Sequence, residues 1–312
     1  MFIEQAFNYL YQSWRYLVGT IVIFLIWQLG TIPFAVAVFS KVLMDGGDLH
    51  LLEQDQSLLM KVLEPNLTLF LMLLSFAIGL LGLYLWLKWV HHQPMKAITT
   101  TRKNIDWKRF GFGFALIAIT TVLLTGIDYY LHPESFEVQL QWGPFLILVI
   151  LACLMIPLQT SFEEYLFRGY LMQGLGVMTR SRWVPLLLTS VVFGGMHFFN
   201  PEVDKMGPIL MIYYIGTGLF LGVITLMDEG LELALGFHAG NNLVGALLVT
   251  ADWTAFQTNS ILRDISDPSA GVDAVAPVFL IYPLFLFLMA RRYNWSDWRA
   301  KLIGPLRTPS EH

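Results

Sequence analysis

The run L-I-L-V-I-L-A-C-L-M-I-P-L, residues 146–158, holds no charge, and T-S-F-E-E-Y-L-F-R-G-Y, residues 160–170, follows it almost at once. The first stretch is built for lipid. The second sets Glu163, Glu164 and Arg168 at its end, and Tyr165-Leu166-Phe167 and Tyr170-Leu171-Met172 then carry the apolar character onward. The next base after Arg168 is Arg180. The three ionisable groups are therefore bracketed by apolar helix, which places them inside a membrane rather than at its edge.

The rest of the chain agrees with that reading. It has 312 residues, 56% hydrophobic and 13% charged. Soluble domains carry about 25% charged residues, so a soluble fold would lack surface charge. The net charge of −4 points to no nucleic-acid partner. Cys153, the single cysteine, lies in the apolar run. It leaves no route to an intramolecular disulfide or a cysteine-ligated metal.

A membrane-crossing helix needs about 20 mostly apolar residues. Eight segments qualify: Tyr16–Val42, Leu67–Trp89, Phe110–Tyr130, Gly143–Leu158 with its continuation, Trp183–Phe198, Gly207–Met227, Leu233–Val249 and Val275–Ala290. The expected fold is all-α, a polytopic bundle of about eight spans. It divides into residues 1–142 with spans one to three, 143–250 with spans four to seven, and 251–312 with the last span and a basic tail. The segment Asp45–Glu64 reads as a surface helix outside the core.

Lys and Arg stay on the cytoplasmic side of a membrane. Under the eight-span assignment, 14 of the 19 basic residues fall on one side and 4 on the other, with Arg168 in the membrane. That split puts both termini in the cytoplasm and the protein in the cell membrane. Ala35-Val36-Ala37 resembles a signal-peptidase site. The region before it has Arg15 as its only base and also Glu4, so an uncleaved first span is the preferred reading.

An ionisable residue at membrane depth costs about 3 kcal/mol or more, which makes it a functional-site hypothesis. Three clusters qualify. In the first, Glu164 and Arg168 are four apart on one helix face and can neutralise each other; Glu163 lies about 100° round and is left for other chemistry. The second is F-G-G-M-H, residues 193–197, where Gly194 and Gly195 permit close backbone approach. The third is G-F-H-A-G-N-N, residues 236–242, with His238 and Asn242 on one face. Singly, each has an ordinary structural reading: a surface salt bridge, an interfacial histidine, an interhelical hydrogen bond. The other histidines, His50, His91, His92, His132 and His312, read as loop or tail residues.

A carboxylate with a histidine can activate water. A second histidine with an asparagine can stabilise an oxyanion. That chemistry hydrolyses an amide or ester. Other intramembrane designs are missing: there is no H-E-x-x-H, no G-x-S-x-G and no G-x-G-D.

The order E-E-x-x-x-R, F-x-x-x-H, H-x-x-x-N, spread over about Phe145–Val249, closely resembles the CAAX protease and bacteriocin-processing (Abi) family of intramembrane proteases. Its best-known member type is the type II CAAX prenyl endopeptidase. The resemblance implies an all-helical bundle with a cavity open to cytoplasm and lipid. It implies that Glu163 activates water with help from His197, that His238 and Asn242 form the oxyanion hole, and that Glu164 and Arg168 are a supporting pair. The implied substrate is a membrane-associated peptide, which need not be prenylated. The residues leave two alternatives open. Glu163, His197 and His238 could instead bind zinc, against the preferred reading without a cofactor. A membrane cavity with these groups could also serve an immunity, binding or transport protein.

Depth sets a constraint. His197 lies 15 residues beyond Arg182, about 22 Å along a helix, while His238 lies six beyond Glu232, about 9 Å. Both must reach Glu163, which calls for tilted helices or an extended fourth helix.

Overall fold

In lipid the backbone must satisfy its own polar groups, and apolar runs of this length do so as helices. The computed structural model describes residues 1–47, 56–268, 271 and 274–307. Its long helices are α1, Ser13–Leu29; α2, Ile32–Met44; α3, Pro65–Trp86; α4, Trp107–Leu131; α5, Trp142–Glu164; α6, Trp183–Met196; α7, Leu210–Asp228; α8, Glu232–Leu248; and α9, Tyr282–Tyr293. α1 and α2 form one 32-residue apolar segment. α3 runs on through a π-helical turn, Leu87–His91. α5 runs on through a π-helical stretch, Tyr165–Leu171, into Met172–Thr179, for 38 residues in all.

Among the described residues, five helical segments are long and apolar enough to cross a membrane: Ser13–Met44, Pro65–His91, Trp107–Leu131, Trp142–Thr179 and Leu210–Asp228. The bundle is all-α in class, and five of the eight expected spans reach that length among the described residues. The other three apolar segments lie on shorter helices. α6 has 14 residues, about 21 Å against a hydrocarbon core of about 30 Å. It stops before Asn200-Pro201, where extended backbone precedes the proline and a new short helix, Pro201–Met206, begins.

Three short strands depart from the purely helical expectation. β1 (Phe136–Val138), β2 (Val249–Ala251) and β3 (Leu262–Asp264) form a sheet in the order β1-β3-β2, antiparallel then parallel. They are three residues each and carry no pattern long enough to read. The expected surface helix over Asp45–Glu64 is only partly visible: 48–55 lie outside the described residues, and Gln56–Lys61 forms a 3-10 turn. Glu64 instead caps α3, its carboxylate accepting from the Leu67 N–H.

The sheet marks one end of the bundle. The basic loops gather at the other. There Arg102 pairs with Asp228 and Glu232, Arg109 with Asp106 and Asp228, and Arg182 with Glu4. Lys301 of the C-terminal segment donates to the Met227 carbonyl, and Arg182 to that of Ala300.

Small residues bring the site helices close. A Cβ on Gly236 would stand 2.0 Å from the Phe110 carbonyl oxygen, and one on Gly240 would stand 2.9 Å from that of Phe114, so α8 packs backbone to backbone on α4. Gly194 meets the Ile215 backbone in the same way, joining α6 to α7, whereas Gly195 faces open space. Of the two glycines expected to serve close approach, one does.

Candidate active site

α5 carries the carboxylates at the middle of its 38-residue course. That course is about 57 Å long, so the two glutamates can lie well below either helix end. The extended fourth helix, one of the two ways of meeting the depth constraint, is present. Glu232, the start of α8, is itself buried at 1% exposure and bonded to Arg102, so α8 begins inside the protein and not at its surface.

Glu164 and Arg168 are both completely buried. An Arg168 guanidinium nitrogen donates to Glu164 Oε1 at 2.9 Å, and a second nitrogen donates to the Gly218 carbonyl at 3.2 Å. The guanidinium also lies 4.1 Å from the Phe193 ring centroid, over its face. The i, i+4 pair survives although Arg168 sits in the π-helical stretch. π turns widen a helix locally and are common beside functional residues.

Glu164 has a second partner that the spacing did not disclose. His238 Nδ1 lies 2.8 Å from Glu164 Oε1. Oε1 already accepts from Arg168, so Glu164 is read as an ionised acceptor and the hydrogen is assigned to His238 Nδ1. His238 is thereby held with Nε2 pointing the other way, 3.4 Å from Glu163 Oε2. The two carboxylates grip opposite nitrogens of one ring.

Glu163 differs from its neighbour in access, with its side chain 13% exposed. Glu163 Oε2 accepts from the Gln159 amide at 2.8 Å. Gln159 Oε1 in turn accepts from Asn242 Nδ2 at 3.1 Å, and Asn242 Oδ1 accepts from Asn241 at 3.0 Å. Asn242 therefore reaches Glu163 through Gln159.

His197 ends α6. Its Nδ1 donates to the Phe193 carbonyl at 2.8 Å, which leaves Nε2 as the free ring nitrogen. Its ring stacks on Tyr214 at 4.3 Å between centroids and 20° between planes. The Tyr214 hydroxyl donates to Glu202 at 2.5 Å, and Glu202 also accepts from Asn200 and from the Ala255 N–H. Glu163 and His197 line one cavity of about 20 Å³, walled by aromatic and aliphatic side chains that include Trp27, Phe76 and Phe193. A space of this size holds about one water.

The structure thus joins Glu163, Glu164, Arg168, His238 and Asn242 through Gln159 and the His238 ring, and sets His197 on the cavity beside Glu163. Two residues were missed. Gln159 lies four before Glu163, a spacing that puts it on the same helix face. Glu202 reads as a loop acid. One histidine was misplaced: His91 is fully buried, with Nδ1 donating to the Leu10 carbonyl at 2.7 Å and its ring 4.5 Å from that of Tyr16. The π turn swings His91 into the core before His92, at φ 53°, ends the helix. H-H-Q-P looks like a loop because its register depends on that turn.

The zinc alternative requires Glu163, His197 and His238 to act together. Among the described residues no three His, Cys, Asp or Glu side chains are arranged to hold a metal ion. Each histidine uses Nδ1 within the protein, one toward Glu164 and one toward its own helix, which leaves both Nε2 atoms open, the pattern that metal-binding histidines also show.

The site lies within the part of the chain that matches a family model, residues 141–244, described as type II CAAX prenyl endopeptidase, Rce1-like. Residues 141–244 are Rce1-like. The motif resemblance and this match name the same family, and all six candidate residues, with Gln159, fall inside the Rce1-like segment. The chain is also 29% identical over 241 residues to the uncharacterised protein YyaK of Bacillus subtilis (strain 168), covering 76% of this chain and 78% of that one. No solved structure gives a significant match. The Rce1-like segment and the long apolar helices together mark an integral membrane protein.

Proposed function

We propose that this protein is an intramembrane endopeptidase that cleaves a peptide bond of a membrane-associated substrate without a metal. The observation that carries the reading is the water-sized cavity shared by Glu163 and His197, with His238 across the Glu163 carboxylate. The Rce1-like match supports a protease in general terms. The roles given to single residues are our own.

Water in the cavity lies between Glu163, an acceptor, and His197, whose Nε2 is free to accept. Glu163 takes one water proton as the oxygen attacks the peptide carbonyl carbon. The C–O bond forms and the carbonyl oxygen becomes an oxyanion. His238 as the imidazolium, with Nδ1–H held by Glu164 and Nε2–H facing the site, and the second hydrogen of Asn242 Nδ2 donate to it. Collapse breaks the C–N bond, and the proton held by Glu163 passes to the leaving amine. Glu164 and Arg168 hold His238 in the orientation that this needs.

The gathering of basic loops at one end supports both termini facing the cytoplasm, in the cell membrane. Reporter fusions at Asn104 and the C-terminus test this, and an externally accessible Asn104 overturns it.

The activity test is purified protein in detergent with a panel of fluorogenic peptides, prenylated and not, with and without a chelator. Cleavage that survives the chelator and disappears in Glu163→Gln is the expected result. Loss of cleavage on chelation, restored by added zinc, moves the assignment to a metalloprotease. No cleavage of any peptide by the wild type counts against the enzyme and favours a binding or immunity protein.

A further inference from the structure

Gln159 is buried at 4% exposure, one turn before Glu163 on α5. Both ends of its amide are used. Nε2 donates to Glu163 Oε2 at 2.8 Å, and Oε1 accepts from Asn242 Nδ2 at 3.1 Å. The orientation is fixed by its partners. Turning the amide over would set its oxygen against the carboxylate and its NH₂ against that of Asn242. The hydrogen bonds then run in one direction, from Asn241 through Asn242 and Gln159 to Glu163. A buried amide bonded at both ends links the positions of its partners.

We infer that Gln159 is a positioning residue that locks the Glu163 carboxylate and the Asn242 amide into one unit across the α5–α8 junction. Two consequences follow for the catalytic cycle, and these rest on the protease reading. Gln159 occupies one lone pair of Oε2, so the carboxylate rotamer is set before water arrives. It also uses one of the two Asn242 Nδ2 hydrogens, so the other is aimed by Gln159 rather than by substrate. A substrate then meets a preformed donor, and the loss of Gln159 falls on the chemical step more than on binding.

The test has a structural arm and a kinetic arm. In the structural arm, protein labelled with ¹⁵N on glutamine side chains is observed by NMR in detergent, and the Gln159 amide signal is assigned by its loss in Gln159→Glu. The expected result is that this signal moves in both Glu163→Ala and Asn242→Ala and stays put in a control, Gln139→Ala, at the sheet end of the bundle. A signal indifferent to either partner overturns the link, whether or not the protein cleaves anything. In the kinetic arm, Gln159→Met keeps length without polarity, and Gln159→Glu keeps the acceptor for Asn242 while losing the donor to Glu163. Both should lower kcat roughly 10-fold or more and leave KM within about 2-fold; Gln159→Met should keep detergent thermal stability near wild type, whereas Gln159→Glu, which sets a second carboxylate against Glu163, should lose some of it. The double variant Gln159→Met/Asn242→Ala should cost less than the product of the single losses. A Gln159→Met enzyme with wild-type kcat, or singles whose losses multiply, overturns the positioning role. If the wild type cleaves no peptide, the protease reading fails, and the NMR arm still decides whether the link exists.

Discussion

Two groups of buried carboxylates can be compared within this one molecule. At the basic end of the bundle, Asp228 and Glu232 face Arg102 and Arg109, with Trp295 and the Asp106 N–H completing the set. Two buried acids meet two permanent cations; the third acid on Arg109, Asp106, is 36% exposed and solvated. Midway along the 38-residue course, Glu163 and Glu164 have one arginine between them, Arg168, which pairs with Glu164, and a histidine that touches both. The first group is balanced and has nothing left to do but hold α4, α7 and α8 together. The second has one carboxylate more than its fixed cation can neutralise. The surplus acid is the one with an opening: Glu163 lines a cavity and Glu164 does not. Charge at depth is tolerated in both places, but only the unbalanced place keeps a group free to change its proton. The comparison can be broken at four residues.

The largest effect is expected at the surplus acid. Glu163→Gln should lower peptide cleavage by about 10²-fold or more and leave detergent thermal stability close to wild type, because its partners Gln159 and His238 can bond to an amide. Retained activity in that variant removes Glu163 as the base.

Glu164→Gln is expected to act on the fold first. Arg168 is fully buried, and breaking a buried pair costs about 3–5 kcal/mol because it strands the remaining charge. Folded yield and thermal stability should both fall, and activity with them, since His238 loses its anchor at Nδ1. A stable but inactive Glu164→Gln, paired with an active Glu163→Gln, shows the roles to be reversed.

Asp228→Asn probes the balanced group. It removes the charge that accepts from Arg102 at 2.8 Å and also from Arg109. The two arginines are 23% and 18% exposed, so water partly replaces the lost partner. A stability loss of about 2 kcal/mol is expected, with cleavage per folded molecule unchanged. A kcat defect without a stability defect joins the two regions functionally and ends the contrast drawn here.

Much of this arrangement was legible in the sequence, and the reasons differ by feature. Apolar length revealed the bundle, and helical spacing revealed the Glu164–Arg168 pair, because both are local. Bringing Glu163 and His238 together across two helices could be proposed only through the family resemblance. Three things depended on side-chain geometry between elements and stayed hidden. His238 binds Glu164 as well as facing Glu163, which no single-helix spacing can disclose. Gln159 lies in a polar triplet, Gln-Thr-Ser, that reads as a plain end to an apolar run. His91 enters the core because of a π turn, and π turns leave no hydropathy signature. The shortness of α6 was hidden for a related reason: Asn200-Pro201 ends the helix early, and α6 still packs as part of the bundle at 14 residues.

The smallest expected effect lies on the far side of the cavity and sharpens the comparison from there. His197 is held by the Phe193 carbonyl through Nδ1 and by the face of Tyr214. Tyr214 is fixed by its hydroxyl bond to Glu202, which also accepts from the Ala255 N–H beyond β2. Tyr214→Phe keeps the stacked ring and deletes the fastening. One hydrogen bond to a charged acceptor contributes about 1.5–3 kcal/mol. Part of that returns here, because Glu202 keeps Asn200 and Ala255 as donors. A stability loss of about 1 kcal/mol is expected, with a kcat loss of a few-fold as His197 samples more orientations. The sign of the activity change is the informative part. If His197 assists the water, loosening it must slow cleavage. If Tyr214→Phe loses stability but cleaves at the wild-type rate, His197 is a wall of the cavity rather than a participant, and Glu163 with His238 must do the work on their own.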